Sequence, residues 1–397
     1  MLPVFDIPRL GADDLAVLDL IAEVRDDLVR RGIGEPRRWA GGLRRMAVAR
    51  AVQGSNSIEG YRASLDDVLA VVDGEQPLEA TEETRQALVG YQEAMTYVLQ
   101  AAQDEVQVVD EGFIKALHFM MLKYDLSKWP GRWRPGEIFV YREETGERVY
   151  EGPSADDVPE LIVSMLHKLA SGETPPLVRA AMAHLNLVMI HPFRDGNGRM
   201  ARCLQTYVLA REKIIAPVFS SIEEYVGRNT PAYYEILDRV GQGSWHPGND
   251  ALPWVQFCLT AHYRQAVTTL RRIQRAEELW LRLSDVAGRR RLPERVVGPL
   301  VEAAYSGKIR RATYIENIKT TQGEWIADLT ASRDLRALVT AGLFDPVGDT
   351  KGRYYVPSEP LLAERKSVAA KYPRTDRHDP YVIVRERRQL TFVVPDQ

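Results

Sequence analysis

Cysteine is scarce: the 397-residue chain has two, Cys203 and Cys258. That is too few for a disulfide scaffold or a four-thiolate zinc site, and both lie in apolar runs (ARCLQTYVL, WVQFCLTAHY) that read as buried small hydrophobes. Uninterrupted apolar stretches are missing as well; none approaches the roughly 18 residues a membrane helix needs. The first residues, MLPVFDIPRLGADDL, lack a basic leader with an apolar core, so no signal peptide is expected and the expected location is cytoplasmic. No excess of one charge exists either: 52 Lys and Arg stand against 55 Asp and Glu, a net of −3, so the chain as a whole is no polyanion binder. Repeats and low-complexity segments are absent. What remains is ordinary globular composition, 45% hydrophobic and 27% charged, which excludes disorder, collagen and a coiled-coil rod. At about 150 residues per domain the length suits two or three domains.

Most of residues 10–285 carries helical periodicity. In DDLAVLDLIAEVRDDLVR (13–30), Leu15, Leu18, Ile21, Val24 and Leu28 fall on one stripe at steps of three and four. Similar patterns predict helices over 40–59, 82–103, 110–123, 157–170, 176–190, 199–213 and 250–283. The interruption is GRWRPGEIFVYREETGERVYEGP (131–153). Its β-branched and aromatic runs, Ile138, Phe139, Val140 and Tyr141 and then Val149 and Tyr150, flank a polar turn at Glu143–Glu147 and predict a hairpin over 137–152.

The informative segment is HLNLVMIHPFRDGNGRMAR (184–202). An apolar helix must stop at His191, because the residue before Pro192 is pushed out of the α region. Asp195-Gly196-Asn197-Gly198 then forms a tight loop whose glycines permit positive φ, and a new helix starts near Arg199. Loop amides and that helix N-terminus form an anion cradle. Arg199 and Arg202, three apart in the first turn, are unfavourable there by roughly 0.3–1 kcal/mol each unless an anion neutralises them. His184 and His167 read as ordinary residues of helix faces.

HPFRDGNGRMAR resembles the signature of the Fic (filamentation induced by cAMP) family, HPFxxGNGRxxR, with all eight fixed positions present. Chance agreement is on the order of one in ten billion per start point. The resemblance covers roughly residues 40–270 and implies an all-helical catalytic core that moves AMP from ATP onto a Ser, Thr or Tyr hydroxyl of a target protein or of itself. It implies that His191 is the general base, that Asp195 holds Mg²⁺, and that Gly196, Asn197 and Gly198 bind phosphate oxygens while Arg199 and Arg202 take the outer phosphates. Phe193 would anchor the loop in the core. Ile138, Phe139 and Val140 would belong to a flap that docks the target as an added strand. In EEYVGRNTPAYYEIL, Tyr233 and Tyr234 are the candidates for the adenine pocket.

Upstream, Ser55-Asn56-Ser57-Ile58-Glu59-Gly60 matches the family's inhibitory pattern [ST]xxxE[GN]. Glu59 also precedes a glycine that reads as a helix C′ residue, which puts a carboxylate where the dipole disfavours it. The resemblance implies that Glu59 pairs with Arg202 and denies the γ-phosphate its seat. The same glutamate could alternatively position a water for AMP removal.

After Pro293 the pattern changes. Helices are expected over 294–306, 313–320 and 324–342, then two short strands in GLFDPVGDTKGRYYVP, which resembles a winged helix-turn-helix. Segment 289–353 holds twelve basic and eight acidic residues, a net of +4, short of a strong DNA footprint. Lys351 and Arg353 at the wing tip suit phosphate contact, so the module is expected to dock either DNA or protein. Residues Tyr381–Val384 and Leu390–Val394 suggest a terminal hairpin.

The expected fold is mainly α: a Fic-type helical core with a β-hairpin flap, followed by a winged helix-turn-helix. Its expected parts are an N-terminal helical region (1–108) with the inhibitory helix at about 43–60, the core (109–270), a linker helix (271–292), the winged helix (293–360) and a tail (361–397). Oligomeric state, including a homodimer, stays open. Competing readings are a de-AMPylase, transfer of UMP, phosphocholine or phosphate on the same fold, and a transcription regulator whose core senses nucleotide.

Overall fold

The computed structural model describes all residues except 33–39, 78, 143–144, 171–173, 213, 215–220, 350–351, 374–377 and 392–397. The expected helices form as α1 (Ala12–Gly32), α2 (Ala40–Ile58), α4 (Glu82–Ala101), α5 (Glu111–Leu122), α6 (Val158–Leu169), α7 (Pro176–Ile190) and α8 (Asn197–Arg211). Three further helices were not among those predicted: α3 (Leu65–Val72), α9 (Glu223–Arg228) and α10 (Thr230–Gly241). Caps set several of the starts. Ser64, Thr81 and Asp110 each accept a hydrogen bond from a backbone N–H three residues on, at the heads of α3, α4 and α5. The hairpin is present as β1 (Phe139–Tyr141) and β2 (Arg148–Glu151), antiparallel with Val140 opposite Tyr150.

One large apolar cluster unites α1 to α10 with the first half of α11 (Leu252–Arg289). Residues 250–283 and the expected linker 271–291 are thus one continuous helix of 38 residues. Trp254, Cys258 and Leu259 lie in the first cluster, while Leu279, Leu283 and Val286 lie in a second. That second cluster is completed by α12 (Val297–Ser306), α13 (Arg311–Gln322), α14 (Asp328–Thr340) and a three-stranded antiparallel sheet. Its strands are β3 (Ile309–Arg310), β4 (Phe344–Val347) and β5 (Tyr354–Pro357), in the order β3-β5-β4. Three helices thus pack with a small antiparallel sheet; Lys351 lies outside the described residues. Cys203 and Cys258 are buried free thiols, as expected.

The terminal hairpin is not formed. After α15 (Glu359–Lys371), residues Pro380–Thr391 make a helix, α16, and 392–394 lie outside the described residues. Pro380 starts it, and Tyr381 and Val384, three apart, bury against the first cluster. Arg385 and Arg388 pair with Asp13, and Arg387 with Glu23, on α1. Tertiary packing overrides the β-propensity of YVIV here. Among the described residues no helix is long and apolar enough to cross a membrane.

Helix α2 is held along its length. Gly54 lies against Gly227 of α9, where a Cβ on either would stand 2.6 Å or less from backbone of the other helix or its neighbours, so only glycine lets the two backbones touch. Nearer its start, Arg45 donates to both oxygens of Asp73 and, at 2.5 Å, to Glu302 Oε2 of α12, with all three side chains at most 6% exposed.

Candidate active site

Helix α7 ends as the proline demands. His191 takes a left-handed conformation (φ 51°, ψ 57°) at the C-cap, and its N–H bonds Leu187 O at 3.0 Å. Its Nδ1 lies 3.1 Å from Val188 O. A carbonyl can only accept, so Nδ1 carries the proton and Nε2 is left with its lone pair, the tautomer a general base needs. Burial pushes the imidazole pKa below its ordinary 6.5, which keeps the base neutral.

The loop that follows is braced from behind. Phe193 is fully buried and stacks on His118 at 3.7 Å between ring centroids. His118 Nδ1 accepts from Gly131 N–H at 2.9 Å, so its Nε2–H donates to Asp195 O, also at 2.9 Å. Burial lowers this imidazole to about 4, leaving it a neutral strut. Gly196 adopts φ 78° and caps α8. Asn197 turns its amide back on Phe193, accepting from its N–H at 2.9 Å and donating to its C=O at 2.8 Å. Its side chain therefore shapes the loop, whereas the resemblance implied contact with phosphate.

Arg199 and Arg202 differ in how they are satisfied. Arg199 is 0% exposed, yet among the described residues none of its three guanidinium nitrogens has a hydrogen-bond acceptor. Its nearest carboxylate oxygen is Asp195 Oδ2 at 3.9 Å, and the Tyr61 ring covers it at 5.2 Å. A buried guanidinium without acceptors is costly. The arginine lies in the first turn of α8, just after the Gly196 cap. Arg202 is met by α2: Nε donates to Ser55 Oγ at 2.8 Å, and Nη2 donates to Ser55 O at 3.0 Å and to Glu59 Oε1 at 2.7 Å, while Nη1 has no acceptor. Burial disfavours the Arg202 charge, and Glu59 more than offsets this, so its pKa is raised.

Glu59 follows the last residue of α2 and lies four after Ser55, and both side chains meet Arg202. The helix stops in a Schellman motif, with Gly60 N–H on Ser57 O, Tyr61 N–H on Asn56 O and Gly60 at φ 85°. This turn lays the Glu59 carboxylate over the start of α8, where a Cβ on Gly198 would meet Oε1 at 2.5 Å. Residues 59 and 202, from different helices, are thus in direct contact.

Asp195 accepts from Gly196 N–H at 2.6 Å through Oδ1, and its Oδ2 pairs with Lys128 Nζ at 3.0 Å. Burial raises this carboxyl, but Arg199 and Lys128 outweigh it and hold it below the ordinary 3.8. The flap is joined to the same backbone. Arg134 donates to His191 O at 2.9 Å, to Gly136 O and to Pro153 O, and Tyr150 OH donates to Met189 O at 2.9 Å. Val140 and Phe139 lie on β1 and Ile138 just before it, its C=O accepting from Gly152 N–H. β1 pairs only with β2 among the described residues, which leaves its outer edge open beside the loop.

The tyrosine pair separates. Tyr233 is 1% exposed, its hydroxyl donating to His184 Nε2 at 3.0 Å, so it belongs to the core rather than to a pocket wall. Tyr234 is 50% exposed and donates to Ile58 O at 3.3 Å, next to Glu59. His184, held also by Gln205, is a satisfied core residue, and His167 is exposed. Sequence reasoning missed His118, Arg134, Tyr61 and Lys128. A lone histidine in the apolar helix FIKALHFMML was the one signal available for His118; the other three offered none.

Residues 108–209 match the model of the Fic/DOC family. The chain is 28% identical over 251 residues to a protein from Nematostella vectensis named protein adenylyltransferase Fic, covering 61% of this chain and 54% of that one. It is 29% identical over 178 residues to protein adenylyltransferase fic-1 of Caenorhabditis elegans, covering 43% and 34%. It thus spans about half or less of the length of these relatives. Among solved structures, a Fic family protein from Desulfovibrio desulfuricans G20 superposes with a TM-score of 0.56 at 22% identity, over 90% of this chain and 99% of that one. A Fic-domain signaling protein from Bacteroides thetaiotaomicron reaches 0.52 at 22% identity, over 66% and 97%. At that identity the likeness concerns the fold. With the loop of residues 191–202 inside the matched segment, residues 108–209 of this chain form a Fic domain.

Proposed function

We propose that this chain is a protein adenylyltransferase that moves AMP from ATP to a Ser, Thr or Tyr hydroxyl of a target protein or of itself, and that Glu59 restrains it. The observation that carries the reading is the buried Arg199 guanidinium in the first turn of α8, which has no hydrogen-bond acceptor among the described residues. A nucleotide's phosphates supply the missing acceptors. His191 Nε2 takes the proton of the incoming hydroxyl, whose oxygen bonds the α-phosphorus. The bond from that phosphorus to the bridging oxygen of the β-phosphate breaks, and pyrophosphate leaves with the electron pair. Arg199 and, once freed of Glu59, Arg202 hold the outer phosphates in line. The open β1 edge registers the target so that its hydroxyl meets His191.

One carboxylate beside a phosphate seat is the donor set Mg²⁺ takes together with substrate oxygens, so Asp195 fits that ion. When bound, the ion neutralises phosphate charge. Incubation with α-labelled ATP and Mg²⁺, read by mass, tests the reading. Wild type or its Glu59→Gly variant gains one AMP per site, and His191→Ala lowers the rate by at least about a hundredfold. Because burial lowers the pKa of His191, its neutral form persists to lower pH than that of an ordinary imidazole, so the acid limb of the pH–rate profile lies below 6.5. Incorporation unchanged in His191→Ala would refute the assignment.

A second reading, removal of AMP with Glu59 orienting a water, is favoured by one observation: the Glu59 side chain keeps 24% of its surface open at the same seat. Loss of label from AMP-modified protein that requires Glu59 would support it. For the C-terminal module we favour protein docking over DNA reading. The first turn of α14 presents acidic Asp328 and Leu329, the latter 59% exposed, and nearby Trp325 is 77% exposed. No retardation of duplex DNA at low salt is expected in a gel shift; a salt-sensitive shift would reverse this choice.

A further inference from the structure

Lys128 ends a short 3₁₀ turn (Leu126–Lys128) and reaches into the site from outside the loop. Its ammonium bridges two groups, 3.0 Å from Asp195 Oδ2 and 2.9 Å from the Tyr61 hydroxyl, and its side chain is 20% exposed. The rings of Tyr61 and Tyr124 flank it at 5.6 and 5.7 Å. Asp195 Oδ1 already accepts from Gly196 N–H, so Oδ2 is the oxygen left for any further cation, and Lys128 has it. Tyr61 is placed to transmit this contact. It lies two residues after Glu59, its N–H closes the turn that ends α2, and its ring covers the unpaired Arg199 guanidinium at 5.2 Å.

We propose that Lys128 is a resident counter-ion that closes Asp195 to a divalent cation in the resting protein, and that its displacement frees the segment holding Glu59. This rests on the reading that Asp195 receives the nucleotide's metal ion. A single and a double positive charge about 4 Å apart on one carboxylate oxygen repel strongly at any dielectric suited to a protein surface, so the lysine and the ion take that oxygen in alternation. When Lys128 leaves, Tyr61 loses its hydrogen-bond donor. The chain beyond Gly60 is then tied down by its own turn, by Gln53 Nε2 donating to Ala63 O at 2.9 Å and by the ring contact with Arg199. Metal loading and release of the inhibitory carboxylate are coupled through these two side chains.

The test reads metal binding rather than turnover, with Mn²⁺ as the probe and ADP as a nucleotide that cannot donate AMP with pyrophosphate as the leaving group. Electron paramagnetic resonance titration gives the Mn²⁺ affinity of the full chain and of its Lys128→Met and Asp195→Asn variants. Lys128→Met, uncharged and of similar length, binds Mn²⁺ about tenfold more tightly than the native protein, and adding Asp195→Asn removes the gain. Amide hydrogen exchange at residues 59–62 quickens with Mn²⁺ and ADP in the native protein, and is already quick in Lys128→Met without them. Equal affinity in native and Lys128→Met proteins, with Asp195→Asn still abolishing binding, overturns the proposal alone. Mn²⁺ binding indifferent to Asp195→Asn in both backgrounds overturns the metal assignment and the proposal with it.

Discussion

Exchanging Glu59 for glycine raises labelling by α-labelled ATP ten- to a hundredfold. The contact removed is a charge-assisted hydrogen bond of 2.7 Å to a buried guanidinium. Such bonds contribute about 1.5–3 kcal/mol, and each 1.4 kcal/mol is a factor of ten. The seat survives the substitution because Ser55 still orients Arg202 through its Oγ and its C=O. Gly60 keeps the turn, and glycine at position 59 adds no strain to it. With Glu59 gone, Arg202 is a second under-satisfied buried cation beside Arg199. The apo variant therefore melts lower than wild type, and ATP restores more of its melting temperature than it does for wild type. Glu59→Gln, which keeps the shape without the charge, gives an intermediate rise. Equal labelling of wild type and Glu59→Gly would remove the inhibitory role.

Arg45→Met is expected to have the largest effect on stability. It strands Asp73 and Glu302, carboxylates 5% and 2% exposed, without their shared cation. Asn317 Nδ2 remains on Glu302 Oε2, but Glu302 Oε1 has no partner even in the native protein. Breaking a buried pair from one side costs about 3–5 kcal/mol. Because Glu59 directly follows the helix that carries Arg45, the loss also loosens the hold on Arg202, and labelling rises together with the fall in melting temperature. Adding Asp73→Asn and Glu302→Gln, which removes the stranded charges, recovers much of the stability. A melting temperature within a degree of wild type for Arg45→Met would show that the network does not hold α2 in place.

The sequence was most informative where chemistry depends on local order. His191, the glycine loop, Arg199 and Arg202 are adjacent in the chain, so their juxtaposition needs only one turn between two helices. Glu59 was found through its resemblance to the family's inhibitory pattern, and the glycine after it added that an acid stands at a helix end where the dipole disfavours it. What escaped notice depends on long-range packing. Lys128, Tyr61 and Arg134 come from irregular segments whose aim is set by the α5–loop contact and by the flap, not by periodicity. Tyr233 and Tyr234 are neighbours, and which one faces inward depends on the rotational phase of α10, which two adjacent aromatics do not reveal. Asn197 could have faced either the phosphates or its own loop, and its letter is the same in both cases. The terminal helix α16 was misread because its β-branched residues find their partners on α1, hundreds of residues away.

Helix α11 puts its two neighbourhoods on one lever. At 38 residues and 1.5 Å per residue it is about 57 Å long, so a tilt of about 5° moves its far end by about 5 Å. That displacement exceeds the 2.7 Å gap bridged by Glu59 and Arg202. The lever also has a handle near the brake: Arg272 on α11 grips Glu224 on α9, the short helix whose Gly227 touches Gly54. A displacement applied at the wing end is thus passed, reduced by the ratio of the lever arms, through one continuous helix to Glu224 on α9.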